Sequence, residues 1–137
     1  MPRVSKLSTI EGIGPANEAK LKAAGVKSVE GLLKACANKR SRADIATRTN
    51  IDEAKLLRFV NHADLMRIKG IGGEYSELLE AAGVDSTTEL IQRRADNLAA
   101  KMVEVNKSRK LVRQVPAEKQ VQDWIVQAKM LTKVVTH

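Results

Sequence analysis

Two stretches of this chain join glycines, a buried-type apolar residue and a helix start in a way that can hold an anion. The first, Leu7-x-x-Ile10-x-Gly12-Ile13-Gly14, reads as a short helix ending in a tight turn, with a second helix beginning at once. Leu65-x-x-Ile68-x-Gly70-Ile71-Gly72 reads the same way. Glycine permits positive φ and close backbone approach. The first amides of the following helix lack intrahelical acceptors and sit at the positive end of its dipole, which is the chemistry of a phosphate site. Lys20 and Lys22 follow the first turn; Arg67 and Lys69 flank the second. The candidate anion-binding residues are therefore Gly12, Ile13, Gly14, Lys20, Lys22, Lys69, Gly70, Ile71 and Gly72.

The two turns are not equivalent in charge. Pro15 removes one amide after the first, and Glu18 follows it, yet Lys20 and Lys22 remain within reach of a phosphate. After the second come Glu74, Glu77, Glu80, Asp85 and Glu89 with no basic residue between Glu74 and Glu89. A carboxylate at Glu74 would itself satisfy the helix dipole.

Other chemistries find less support. His62 and Asp64 lie two apart, a spacing that points to different faces of a helix, so a surface or seam role is expected. Cys36, the single cysteine, sits in the apolar Leu32-Leu33-Lys34-Ala35-Cys36-Ala37 run and reads as a small buried hydrophobe. One cysteine and the two histidines His62 and His137 exclude an intrachain disulfide and a cysteine-based zinc site. The Gly-Ile-Gly elements do not form a dinucleotide fingerprint, because no strand precedes them and the third glycine position is Asn17 or Tyr75. No catalysis, cofactor or metal is expected.

The elements that position these turns come as a repeat. Ile10–Leu33 matches Ile68–Ile91 at an offset of 58, with eleven of 24 residues identical. At an offset of 65, Leu56, Phe59, Val60 and Ala63 align with Val121, Trp124, Ile125 and Ala128, so the second copy is about seven residues longer in its middle. Local signals are helical throughout. Pro15 suits a first helical position, Gly25 and Gly83 suit helix C-termini, and Ser41, Asn50 and Ser86, each three residues before an acid, read as N-caps. Val121, Trp124, Ile125, Ala128 and Leu131 form one apolar stripe, with Trp124 its core anchor. Halves of this size are marginal alone. The expected architecture is all-α: a single domain over residues 1–137, made of repeat one (1–67, turn at 12–14) and repeat two (68–137, turn at 70–72) packed face to face.

Composition agrees with that architecture and adds a charge argument. The chain has 137 residues, 43% hydrophobic but only 2% aromatic, so its interior is built from Leu, Ile, Val and Ala. A formal charge of +8 points toward polyanionic partners. Residues 1–68 carry 13 basic and 7 acidic side chains (+6), against 11 and 9 (+2) in residues 69–137. Lys39, Arg40, Arg42 and Arg48 form one basic cluster; Lys107, Arg109, Lys110 and Arg113 form another. Either can neutralise phosphates, or serve as a solvated helix face or a partner for the Glu74–Glu89 segment. Pro2–Leu7 is too polar to begin a secretory leader, and no apolar run approaches a membrane span, so a cytoplasmic protein without membrane association is expected.

The paired Gly-Ile-Gly turns resemble tandem helix-hairpin-helix motifs. That resemblance implies backbone amides holding a DNA phosphate, assisted by a nearby Lys or Arg, with paired hairpins spanning a minor groove without reading sequence. The chain as a whole is similar to a family of small bacterial proteins catalogued as a domain of unknown function, through VNHADLMRIKGIG and Val121–Lys129 in particular. Two functions are weighed. One is non-sequence-specific duplex DNA binding through Gly12, Ile13, Gly14, Lys20, Lys22 and a basic cluster including Lys39, Arg40 and Arg42. The other is a protein-interaction adaptor or self-associating module that keeps the hairpins as structural turns and joins oppositely charged faces.

Overall fold

The computed structural model describes residues 6–137; of the Pro2–Leu7 stretch read above, residues 2–5 lie outside the described residues. Among the described residues there are eight α-helices and no strand: α1 Pro15–Ala23, α2 Val29–Ala35, α3 Lys39–Thr49, α4 Glu53–Leu65, α5 Gly73–Ala81, α6 Thr87–Ile91, α7 Ala95–Arg109 and α8 Glu118–Met130. A one-turn 3-10 helix at Leu7–Thr9 precedes them. No described helix is long and apolar enough to cross a membrane.

The chain divides into two compact units, one ending at Asp64 and taking back Val134–His137, the other running from Leu65 to Lys133. In the first, α3 packs against α1 and α2. Its core comprises Leu7, Ile10, Leu21, Leu32, Leu56, Phe59 and Val60, all buried. The returning tail docks through Val135, which is buried, and through Thr136 N–H donating to the Ala37 carbonyl at 2.8 Å. In the second unit, α8 packs against α6 and α7, and α5 against α7. Leu78, Leu79, Leu90, Leu98, Met102 and Trp124 form the centre of its core.

The same local signals build corresponding helices in both units. α1 and α5 end alike: Gly25 and Val26 N–H bond the Lys22 and Leu21 carbonyls at 3.0 and 2.9 Å, and Gly83 and Val84 bond Glu80 and Leu79 at 3.0 and 2.8 Å. This double closure satisfies carbonyls the helix would otherwise leave bare. Ser28 and Ser86 then start α2 and α6, their hydroxyls accepting from Gly31 and Glu89 N–H at 3.0 and 3.2 Å. α4 and α8 start and end 65 residues apart, and their aligned residues Leu56, Phe59, Val60, Ala63 and Val121, Trp124, Ile125, Ala128 are all buried. The extra length of the second copy falls in α7, 15 residues against 11 in α3, and in the loop after it.

Two expected caps are placed differently. Ser41 lies inside α3; its N–H donates to the Asn38 side chain at 2.8 Å, so Asn38 is the cap. Asn50 ends α3 rather than starting α4, with φ 58° and ψ 30°. The acidic residue three positions on suggested a start in both cases, but asparagine tolerates the left-handed region that a helix end uses. The sequence reading did not single out Ser28.

Replacing the cap side chains separates these assignments. Ser28→Ala, Asn38→Ala and Ser86→Ala are each expected to lower stability by about 1 kcal/mol, whereas Ser41→Ala stays within about 0.5 kcal/mol, measured by urea denaturation. A cost at Ser41 equal to that at Asn38 would return the cap to Ser41.

Candidate functional site

The first Gly-Ile-Gly turn is anchored on both sides by buried isoleucines. Ile10 N–H donates to the Leu7 carbonyl at 3.0 Å and Ile13 N–H to Ile10 at 3.2 Å. Between them Gly12 takes φ +95°, and a Cβ added there would stand 3.2 Å from Arg58 Nη1 and 3.5 Å from Phe59 Cε1. The turn therefore lies directly on α4. Gly14 is the N-cap of α1, offers no side-chain cap and has open space where its Cβ would be. Pro15 has no amide and Glu18 N–H is taken by the Gly14 carbonyl at 3.0 Å. Ala16 and Asn17 are then the first-turn amides without an intrahelical acceptor. Gly12, Gly14, Ala16, Ala19, Lys20 and Ala23 are all exposed, so α1 presents a low, small-residue surface with one ammonium on it.

The second turn copies this backbone in different surroundings. Gly70 takes φ +102° and a Cβ would lie 3.0 Å from Trp124 Nε1. Gln127 closes the turn: its Oε1 accepts from Lys69 N–H at 2.9 Å, and its Nε2 donates to the Lys69 carbonyl at 3.2 Å and to Asp123 at 2.9 Å. The positions on α4 that correspond to Asp123 and Gln127, 65 residues earlier, are Arg58 and His62. Glu74 is exposed in the first turn of α5, beyond the Gly72 N-cap. A guanidinium thus lies against the first turn, while a carboxylate occupies the corresponding place on α8 and another follows the second turn. Arg58 is the residue the sequence reading missed. The alignment of Phe59 with Trp124 already held the signal, since it sets Arg58 opposite Asp123.

The basic clusters resolve into outward and inward members. Lys39 and Arg40 are exposed at the start of α3. Arg42 is buried and donates to the Cys36 and Ala37 carbonyls at 3.1 and 3.2 Å, closing the end of α2. Arg48 donates to the Ala24 carbonyl at 3.3 Å, with Asp44 at 3.8 Å. Arg93 does the same for α5, donating to Ala82 at 3.2 Å beside Glu89 at 3.5 Å. These three arginines neutralise the negative ends of helices. Lys107, Arg109, Lys110 and Arg113 are all exposed. Asn106 pins the loop they share through two 3.0 Å bonds to Val112. Lys22 lines a cleft with Lys6, Leu7, Ser8, Glu18 and Lys27.

The polar residues Asn61, His62 and Asp64 of α4 are interior. His62 and Asp64 are buried, which corrects the surface placement considered for them: they sit on the inner part of α4. His137 Nε2 lies 2.9 Å from Asn61 Oδ1. Among the described residues no group of three or more His, Cys, Asp and Glu converges as a metal site would require.

A family model described as Domain of unknown function (DUF4332) matches residues 11–131. The chain belongs to this family. No curated protein and no solved structure matches it. The DUF4332 match spans both Gly-Ile-Gly turns, all eight helices up to Met130 and the basic loop after α7.

Glycine substitutions test the turn geometry. Gly12→Ala and Gly70→Ala are each expected to cost about 1–2 kcal/mol for positive φ, with Gly70→Ala the more costly because Trp124 stands closer. Gly14→Ala and Gly72→Ala, at negative φ and with open space, meet no strain, so their only expected cost is that alanine caps a helix less well than glycine, under about 1 kcal/mol. Urea denaturation followed by circular dichroism, which reports on the helices of both units, measures all four.

Cys36 gives a pH test. Burial pushes its thiol from the ordinary 9.0 up to about 11, against the opposing pull of Arg42. Because the folded value is the higher, this contribution to stability is complete below pH 9 and is lost as pH rises toward 11. Cys36→Ser is expected to flatten the fall in stability over that interval, and an unchanged slope would reject the assignment.

Proposed function

We propose that this chain binds duplex DNA without reading its sequence, using the first Gly-Ile-Gly turn and α1 as a helix-hairpin-helix element. What supports the reading above all is the bare start of α1: an exposed glycine cap with open space over it, two first-turn amides, and the Arg58 guanidinium beside the turn. Such a start is complementary to a backbone phosphate. Lys20 adds a long-range attraction on the same helix, and Lys39 and Arg40 add exposed positive charge in the same unit. The small side chains of Ala16, Ala19 and Ala23 let a nucleic-acid backbone approach closely.

The second turn, Lys69, Gly70, Ile71 and Gly72, takes a different part in this proposal. Its Lys69 backbone is occupied by Gln127, and Asp123 and Glu74 are carboxylates where a phosphate would need cations. It serves as a structural turn. The acidic side of α5 and the exposed Val126 and Met130 of α8 favour a second reading, in which the second unit contacts a protein partner or another copy of the chain. The two readings are separable because Gly14→Glu weakens duplex binding under the first, whereas Glu74→Lys weakens the protein complex under the second.

Fluorescence anisotropy of random-sequence duplex DNA at several salt concentrations tests the main proposal. The parent is expected to bind with steep salt dependence, Lys20→Gln to lower the salt slope by about 1, and Gly14→Glu to weaken binding about tenfold or more. Gly14→Glu is the informative variant, since position 14 has negative φ and room for a side chain. Absence of binding at low salt, or full binding by Gly14→Glu, would reject the hairpin as the site.

A further inference from the structure

The cleft lined by Lys6, Leu7, Ser8, Glu18, Lys22 and Lys27 has a volume of about 330 Å³ and lies within the first unit. Its three lysines come from three segments of chain: Lys6 ahead of the 3-10 turn, Lys22 from the last turn of α1, and Lys27 from the loop before α2. None of the residues of the Gly12–Gly14 turn lines it.

Three ammonium groups against the single Glu18 carboxylate leave the cleft with two net positive charges, and Ser8 adds a hydroxyl donor. A concave surface with a net excess of one charge focuses its field on whatever enters. The volume lies at the lower end of small-ligand sites and equals roughly ten waters at about 30 Å³ each, more than one compact ion fills. The cations are lysines, with no arginine among them. Lysine acts on phosphate oxygens as a movable point charge that tolerates many orientations, which suits a flexible phosphate chain. Leu7 supplies an apolar part of the wall, and the lysine stems add methylene surface.

We propose that this cleft binds a small soluble polyphosphate, either an inorganic chain or the phosphate tail of a nucleotide, by a site distinct from the hairpin amides. Phosphate oxyanions span the ammonium groups of Lys6, Lys22 and Lys27, and the Ser8 hydroxyl donates to one of them. The cleft's two net positive charges attract an anion in proportion to its own charge, which favours chains over orthophosphate.

Calorimetric titration of the full chain with inorganic triphosphate at low ionic strength tests this. Saturable binding of one equivalent is expected, with orthophosphate at least about tenfold weaker. Lys6→Gln combined with Lys27→Gln is expected to weaken triphosphate binding about tenfold or more, while Lys20→Gln, outside the cleft, leaves it within about twofold. ATP without metal forms the second arm: binding tighter than triphosphate assigns the ligand as a nucleotide, and binding equal or weaker assigns it as an inorganic chain. Gly14→Glu keeps triphosphate binding even where it abolishes duplex binding, so failure of the hairpin reading and failure of the cleft are distinguishable. No saturable triphosphate binding, or equal binding by the Lys6/Lys27 double variant, overturns the proposal. Displacement of triphosphate by duplex DNA through the same two lysines also overturns it, by assigning the cleft to a nucleic-acid backbone.

Discussion

The contact on which each unit depends is a glycine at positive φ pressed against an aromatic ring of its last helix. Gly12 lies on Phe59 and Gly70 on Trp124, closely enough that any Cβ would stand 3.5 Å from the first ring and 3.0 Å from the second. Both rings are buried. At Gly70 a side chain would crowd Trp124, whereas at Gly12 a Cβ would make ordinary contact with Phe59 and it is the positive φ that calls for glycine. The isoleucines on either side, Ile10 and Ile13 or Ile68 and Ile71, follow the turn into the core. Truncating either ring would forfeit roughly 3–5 kcal/mol, a large share of the stability of a domain this size. In the second unit Tyr75 extends the contact, its ring centroid 5.4 Å from that of Trp124.

This shared backbone leaves function to a few side chains around it. A helix that begins at glycine without a side-chain cap is receptive to an anion in either unit. The neighbour on the last helix then decides what the turn can meet. Arg58 places positive charge beside Gly12, whereas its counterpart Asp123 holds Gln127 by a hydrogen bond, and Gln127 occupies the Lys69 backbone. A repeat can thus retain its turn for packing after its chemistry has diverged, because the Cα path is fixed by the glycine and ring while the charge is set one residue before the ring.

The repeat, the all-helical content and the apolar positions of α4 and α8 were legible in the sequence, because each rests on a period that recurs in the same order. The glycine ends of α1 and α5 were legible for the same reason. Of the single capping residues Ser86 was legible, and Asn38, Ser41 and Asn50 were not. Asparagine and serine side chains can all bond local backbone, and which one starts a helix depends on where the preceding helix stops. Arg42 illustrates a deeper limit. It belongs to a run of basic residues, but its place on the buried side of α3 follows from the position of the Cys36 and Ala37 carbonyls, which no spacing rule locates. The lysine cleft escaped notice because its members are separated by up to 21 positions, Lys6 to Lys27, and only the fold of α1 against the 3-10 turn brings them to one wall.

Net charge is therefore a poor map of available charge in this chain. The sequence surplus of +8 counts Arg42, Arg48 and Arg93 equally with the lysines, yet all three hold helix carbonyls in the folded protein. A guanidinium so engaged stabilises the negative end of a helix and has fewer donors left for a ligand. In the first unit the other exposed cations are Lys34 on α2, Lys55 on α4, Lys20 on the small-residue face of α1, Lys39 and Arg40 at the head of α3, and Lys6, Lys22 and Lys27 around one cleft. Lys20 and Lys22 are neighbours in sequence but stand on different sides of α1, since two residues turn a helix through about 200°. A single polyanion approaching the glycine turn meets the first of these without displacing whatever occupies the second.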